Sequence, residues 1–149
     1  MECKQSVEQQ KLDAVYKELS QYQHKAASHA GLSDSAFDIF YVLMQLEEGC
    51  SQKTIAQLSW QSKQTVNSTI KTLEKKGYLK IEKGKGKECS IYLLEPGTAV
   101  IREKIAPLVE HERRMLEKMG LENARALIEL TTQYVKLLKT IEEEEQHAN

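Results

Sequence analysis

Lysine and amide side chains gather on one side of a single stretch of the chain. Lys63, Gln64, Asn67, Ser68 and Lys71 lie opposite Val66, Ile70 and Leu73, whose spacing of i, i+4 and i+7 predicts a helix over Ser62 to Lys76. Such polar groups match the base edges exposed in the major groove of DNA: the amides of Gln and Asn suit adenine, and the Lys ammonium suits guanine. Ser62, at the expected N-cap, and Thr65 suit a phosphate, helped by the unpaired N–H groups of a helix start. From Gln61 to Leu73 there is no acidic residue, whereas a helix face that is merely solvated usually mixes Glu with Lys. A little further on, Lys83, Lys85 and Lys87 alternate with Gly84 and Gly86. These lysines offer point-charge contacts to phosphate that carry little sequence information.

The charge of the whole chain hides this concentration. Across 149 residues, 21 Lys and Arg nearly balance 22 Asp and Glu. Residues 51–87, however, hold nine lysines against only Glu74 and Glu82, while residues 1–50 and 88–149 each sum to −4. A positive centre between acidic flanks is the pattern of a protein with one anionic partner.

Six helices and a hairpin are predicted to carry and position these groups. Leu12, Val15, Tyr16, Leu19 and Tyr22 place an amphipathic helix over roughly residues 6–29, ended by Gly31. Ser33 caps a second, largely apolar helix carrying Ala36, Ile39, Phe40, Leu43 and Leu46, with Gly49 past its end. Ser51 caps a short helix, Gln52 to Leu58, with Ile55, Ala56 and Leu58 inward, and four residues, 59–62, separate it from the lysine-bearing helix that Gly77 closes. Two alternating strands, around Leu79–Glu82 and Cys89–Leu94, join through residues 83–87 as a β-hairpin. Pro96-Gly97 reads as a turn before a long helix that Pro107 kinks or restarts, and Gly120 separates a last helix lined by Leu127, Leu130, Tyr134, Leu138 and Ile141. The acidic end, 142–149, is expected to fray.

Two short helices and a tight turn followed by a hairpin make a winged helix-turn-helix. The fold class is therefore mainly α with a small β-hairpin wing (α+β), the wing and second helix carrying the positive charge. In this arrangement the second helix enters the major groove and the first crosses the backbone.

Other chemistries find less support. The longest apolar run, Ile39 to Met44, is far below the ~20 residues of a membrane span, and the polar start has no signal-peptide pattern, so a cytoplasmic protein is expected. No glycine-rich phosphate loop, G-x-S-x-G or HExxH is present, so no enzyme and no cofactor are expected. Cys3, Cys50 and Cys89 form no disulfide framework or CxxC pair. Cys50 adjoins a helix start whose dipole can lower a thiol pKa, which leaves a redox switch open. Cys89 falls on the inward side of a strand. His24, His29 and His111, with Glu110 or Glu112, are weighed as metal ligands, but no HxxxH or HxH spacing supports them and no metal site is assigned. Tyr16, Tyr22, Phe37, Tyr41 and Met44 are either a ligand cavity or core.

The run from Leu32-Ser33 through FDIFYVLMQLEEGCSQKTIAQL, SKQTVNSTIKTLEKKGYL and a hairpin ending IYLLEPG resembles the MarR family of bacterial transcription regulators. About 65 central residues carry the resemblance, and TVNSTIKTLEKKGYL is its most specific part. It implies a homodimer that binds a pseudo-palindromic operator in double-stranded DNA, usually as a repressor and often released by a small-molecule effector or by oxidation. It also implies that both chain ends build a dimerisation region, residues 1–30 and 98–149, around a DNA-binding domain, residues 31–97. The terminal apolar stripes need a surface to bury against, and a partner's helices would supply it. The family's wing commonly carries an Asp-x-Arg element where this chain has Lys85 and Lys87, which points to phosphate contact instead of minor-groove insertion. Two other readings stay open: a winged helix that binds protein without specific DNA binding, and a redox- or metal-responsive regulator.

Overall fold

The computed structural model describes residues 4–86 and 88–148, so Lys87 and Cys3 lie outside the described residues. The chain forms two compact units, dividing between Pro107 and Leu108.

In the first unit, helix α1 (Val7–His29) starts in a capping box: Ser6 Oγ accepts from the Gln9 amide and Gln9 Oε1 accepts from the Ser6 amide at 2.7 Å. Helix α2 (Asp34–Leu43), capped by Ser33, is the central element, with Ile39 and Phe40 fully buried. Strand β1 (Cys50–Ser51) comes next, then helices α3 (Gln52–Ser59) and α4 (Lys63–Lys75), capped by Ser51 and Ser62. Serine suits all four starts because its hydroxyl accepts an amide that the helix leaves unpaired. Strands β2 (Leu79–Lys83) and β3 (Cys89–Leu93) form the hairpin. β1 joins it as a third antiparallel strand in the order β1-β3-β2, pairing Cys50 with Ile91. Two residues are too short for an alternating pattern, so this strand leaves no trace in the sequence.

The core gathers Ile39, Phe40, Ile55, Val66, Ile70, Leu79, Ile91 and Ile105, each worth about 1.5–3 kcal/mol of transfer free energy. Tyr78 meets Phe40 edge to face, with centroids 5.8 Å apart. Leu58 departs from expectation and is 52% exposed. The inward row of α3 runs through Ile55, Ala56 and Ser59, which leaves Leu58 off the buried face.

Pro96-Gly97 forms no turn before the helix, because both residues lie within the first turn of helix α5 (Glu95–Val100), where a proline's missing N–H costs nothing. Gly97 is buried so closely against Tyr78, the residue ahead of β2, that an added Cβ would stand 2.1 Å from the Tyr78 carbonyl oxygen. A π-helical turn, Ile101–Ile105, follows, and helix α6 (Ala106–Met119) begins directly after it. Within that turn the Ala106 amide bonds the Ile101 carbonyl, five residues back. The widened turn precedes Pro107, whose ring would otherwise crowd the carbonyl four residues back. It also seats Ile105 in the core.

The second unit comprises the rest of α6 and helix α7 (Leu121–His147), separated by Gly120 at φ 83. Glu110, Arg113 and Glu117 form an ion-paired row on α6, and the Arg113 guanidinium holds the Glu110 carboxyl below its ordinary range. Ala124 alone is buried among the described residues of this unit, while Met115, Leu116, Leu127, Leu130, Leu138 and Ile141 are exposed. The acidic end expected to fray is helical through His147, consistent with the high helix propensity of Glu and the absence of Gly or Pro after Gly120.

Candidate nucleic-acid interface

The candidate face is built on α4, whose apolar row Val66, Ile70 and Leu73 is buried as its spacing predicts. Lys63, Gln64, Thr65, Ser68 and Lys71 are all exposed. Asn67 is half-buried, and its Oδ1 accepts from Gln52 Nε2 on α3 at 3.3 Å. That bond orients the amide of Asn67 and leaves its Nδ2 donor available. Ser62 Oγ accepts from the Thr65 amide at 3.1 Å and shares a 2.8 Å hydrogen bond with Thr65 Oγ1. Both hydroxyls are thus committed first to the cap.

Three connections fix α4 within the unit. Ser35 of α2 bonds Gln61, just ahead of the helix, and Thr69 in its middle, the latter at 2.8 Å, while Gln61 Nε2 returns a 3.4 Å bond to the Ser35 carbonyl. The Gln52–Asn67 bond ties its middle to α3. At its C-terminal end Glu74 Oε1 accepts from the Ile81 amide of β2 at 2.9 Å. Sequence reading missed Ser35, Gln52, Gln61, Thr69 and Glu74, because each acts through a partner between 7 and 34 positions away.

The hairpin is paired from Leu79–Leu93 to Lys83–Cys89, so Lys83 ends a strand and does not sit in the loop. The Gly84 amide bonds the Glu88 carbonyl at 2.8 Å and closes the tip, where Lys85 is exposed. Lys80 is spoken for: it pairs with Glu82 at 2.6 Å and lies 5.0 Å from the centre of the Tyr92 ring. Among the described residues, Lys63, Lys71, Lys83 and Lys85 have no acidic partner. The wing and α4 therefore present uncompensated positive charge from the same unit.

The alternative chemistries are less well placed. Cys50 lies in β1, and Ser51 Oγ already accepts the Thr54 amide at 3.0 Å, so the start of α3 offers the thiol little. Burial pushes the Cys50 thiol up, opposite to the lowering expected from its position. Cys89 is half-buried on the Ile91 side of β3, as expected. His24 Nδ1 stands 2.9 Å from Asp34 Oδ1, and among the described residues no three His, Cys, Asp or Glu side chains meet in a way that could hold a metal ion. Phe37 belongs to the core, whereas Tyr16 and Tyr22 are exposed on α1. Among the described residues no helix is long and apolar enough to cross a membrane.

Helices α3 and α4 around a three-residue turn, with a hairpin packed on them, define a winged helix-turn-helix protein. Residues 30–87 match the model of the MarR family, so this part of the chain is similar to that family. Similar solved structures share the fold. A MarR family regulator from Neisseria meningitidis, NMB1585, is 22% identical, with a TM-score of 0.76, over 93% of this chain and 99% of that one. A MarR/EmrR family regulator from Acinetobacter sp. ADP1 is 19% identical, with a TM-score of 0.71, over 91% and 99%. MepR of S. aureus, solved as a complex with DNA, is 16% identical, with a TM-score of 0.70, over 89% and 99%. No curated protein matches the sequence. The fold expected from the sequence, mainly helical with a small winged sheet, is the one found.

Proposed function

We propose that the chain is a sequence-specific, DNA-binding transcription regulator and not an enzyme, acting as a homodimeric repressor at a pseudo-palindromic operator in double-stranded DNA. The observation that carries this reading is the outer face of α4. It offers Lys63, Gln64, Ser68 and Lys71 exposed, Asn67 oriented by Gln52, and no acidic residue up to Leu73. Lys63, Gln64, Asn67 and Ser68 read base edges, while Lys71, Ser62, Thr65 and the wing lysines Lys83, Lys85 and Lys87 hold phosphates. Pairing as a dimer rests on the terminal helices, where Leu12, Val15 and Leu19 of α1 and the stripe of α7 are exposed in the single chain. Exposed apolar patches of that extent mark interaction surfaces, and residues 1–30 with 98–149 would form the dimerisation region. A small-molecule effector completes the reading, as the family resemblance implies.

Fluorescence anisotropy with the DNA upstream of the protein's own gene, at several salt concentrations, tests the reading. Affinity is expected to fall steeply as salt rises, because bound phosphates release counterions. Asn67→Ala is expected to relax sequence preference, and Lys63→Ala to weaken binding. Upstream DNA that binds no better than random competitor, for a protein shown by mass to be free of bound effector, would refute it. Light scattering tests the pairing: Leu138→Asp is expected to halve the measured mass.

A further inference from the structure

Lys63, Asn67 and Lys71 follow one another at i, i+4 and i+8 along α4, a row on one side of the helix. The two lysines are exposed, have no acidic partner among the described residues, and carry donors with no acceptor. Asn67, between them, has an amide with an acceptor at one end and donors at the other. The structure uses the acceptor: Oδ1 is turned to α3, where Gln52 Nε2 donates to it at 3.3 Å. Nδ2 is the end left to the outer face. Turning the half-buried amide over would set Nδ2 against Gln52 Nε2, donor against donor. No acidic side chain from Gln61 to Leu73 restores an acceptor, so the whole row offers donors.

We propose that Asn67 reads guanine, and that Gln52 makes it do so. An asparagine free at both ends of its amide suits adenine, its oxygen accepting from N6 and its nitrogen donating to N7. With the oxygen committed to Gln52, Asn67 has only donors to offer a base. Guanine meets that offer, because its major-groove edge presents the acceptors N7 and O6 and no donor. Adenine sets its N6 amino group against the Asn67 donors, cytosine presents the N4 donor, and thymine places a methyl group beside its O4 acceptor. The operator half-site therefore carries guanine under Asn67, where residue type alone suggests adenine. Gln52 is a positioning residue: it touches no base and selects which end of the Asn67 amide does. The proposal rests on the DNA-binding reading above and adds to it the base that is read.

Anisotropy competition tests it, using duplexes of roughly 30 base pairs, enough for two half-sites one helical turn apart. They are taken from the DNA upstream of the protein's own gene, with each position in turn replaced by every other base pair. The position that Asn67 reads is the one at which Asn67→Ala loses discrimination. There the wild-type protein is expected to prefer guanine to adenine by about tenfold. Gln52→Ala releases Asn67 Oδ1, and adenine is then expected to bind as well as guanine at that position. A merely structural role for Gln52 would weaken every duplex alike and leave the preference in place. Asn67→Asp presents acceptors alone, so its preference is expected to move to cytosine, whose N4 donates. Specific binding with any base but guanine favoured at the Asn67 position, or with no position sensitive to Asn67→Ala, overturns the proposal and leaves the DNA-binding reading standing. A Gln52→Ala variant that still rejects adenine also overturns it. Upstream DNA that binds no better than random duplex overturns both the proposal and the reading it rests on.

Discussion

Gln52 of α3 holds Asn67 of α4 through a 3.3 Å hydrogen bond from amide to amide, so the one half-buried polar residue on the candidate face is positioned by the preceding helix. If Asn67 reads a base as proposed, Gln52→Ala is expected to leave affinity for random DNA unchanged and to blur discrimination at that base, where a good bidentate pair is worth about 1–3 kcal/mol. Competition with duplexes substituted one base pair at a time measures it. Full discrimination in Gln52→Ala, alongside its loss in Asn67→Ala, would show that Asn67 needs no such support.

Glu74 accepts the Ile81 amide and fastens the wing to the end of α4. Glu74→Ala is expected to lower stability by about 0.5–1.5 kcal/mol and to raise hydrogen exchange at Ile81 above that of its neighbours in β2. Glu74→Gln keeps an acceptor and should restore most of the protection. Equal exchange in both variants would count against the fastening role.

Gly97 has no room for a side chain, since its Cβ would lie 2.1 Å from the Tyr78 carbonyl oxygen and 3.0 Å from Leu93 Cδ2. Gly97→Ala must displace backbone, and an expected cost of at least the ~1–3 kcal/mol typical of overpacked cores follows. Thermal unfolding checks it. A Tm within a degree or two of wild type would mean that α5 shifts away from Tyr78 and Leu93 freely.

Burial pushes the Cys50 thiol up, so in the folded protein it stays protonated at neutral pH. A folded-state pKa above the unfolded value means that Cys50 contributes stability fully below the unfolded pKa, about 8.5, and loses that contribution as pH rises through the folded one. Alkylation of Cys50 by iodoacetamide, followed by peptide mass spectrometry, is expected to be slower at pH 7 than for a free thiol and to keep rising past pH ~8.5, where the rate of a free thiol levels off. Fast alkylation at pH 7 would revive the redox reading.

What the sequence showed of this fold was local, and what it hid was paired at a distance. Ser33, Ser51 and Ser62 cap their helices as their positions suggest, and Val66, Ile70 and Leu73 face the core as their spacing requires, because each signal lies within a few residues of its effect. Strand β1 exists only through its partner Ile91, and the π-helical turn ahead of Pro107 depends on where Ile105 must go. Leu58 shows the limit of periodicity in an eight-residue helix, where one position of phase separates core from solvent. At the candidate site the exposed side chains of α4 were legible as a charge pattern. Their supports, Gln52, Ser35 and Glu74, were not, since nothing local marks them.

Helix α4 is held ahead of its start by the Ser35–Gln61 bonds, in its middle by Ser35 and Gln52, and at its end through Glu74. A surface held at three points by three different elements cannot roll about its own axis or unwind at one end without breaking bonds throughout the winged helix. Distorting the outer face of α4 therefore costs contacts to α2, α3 and the wing together, and the face is expected to move as one body with the winged helix that carries it.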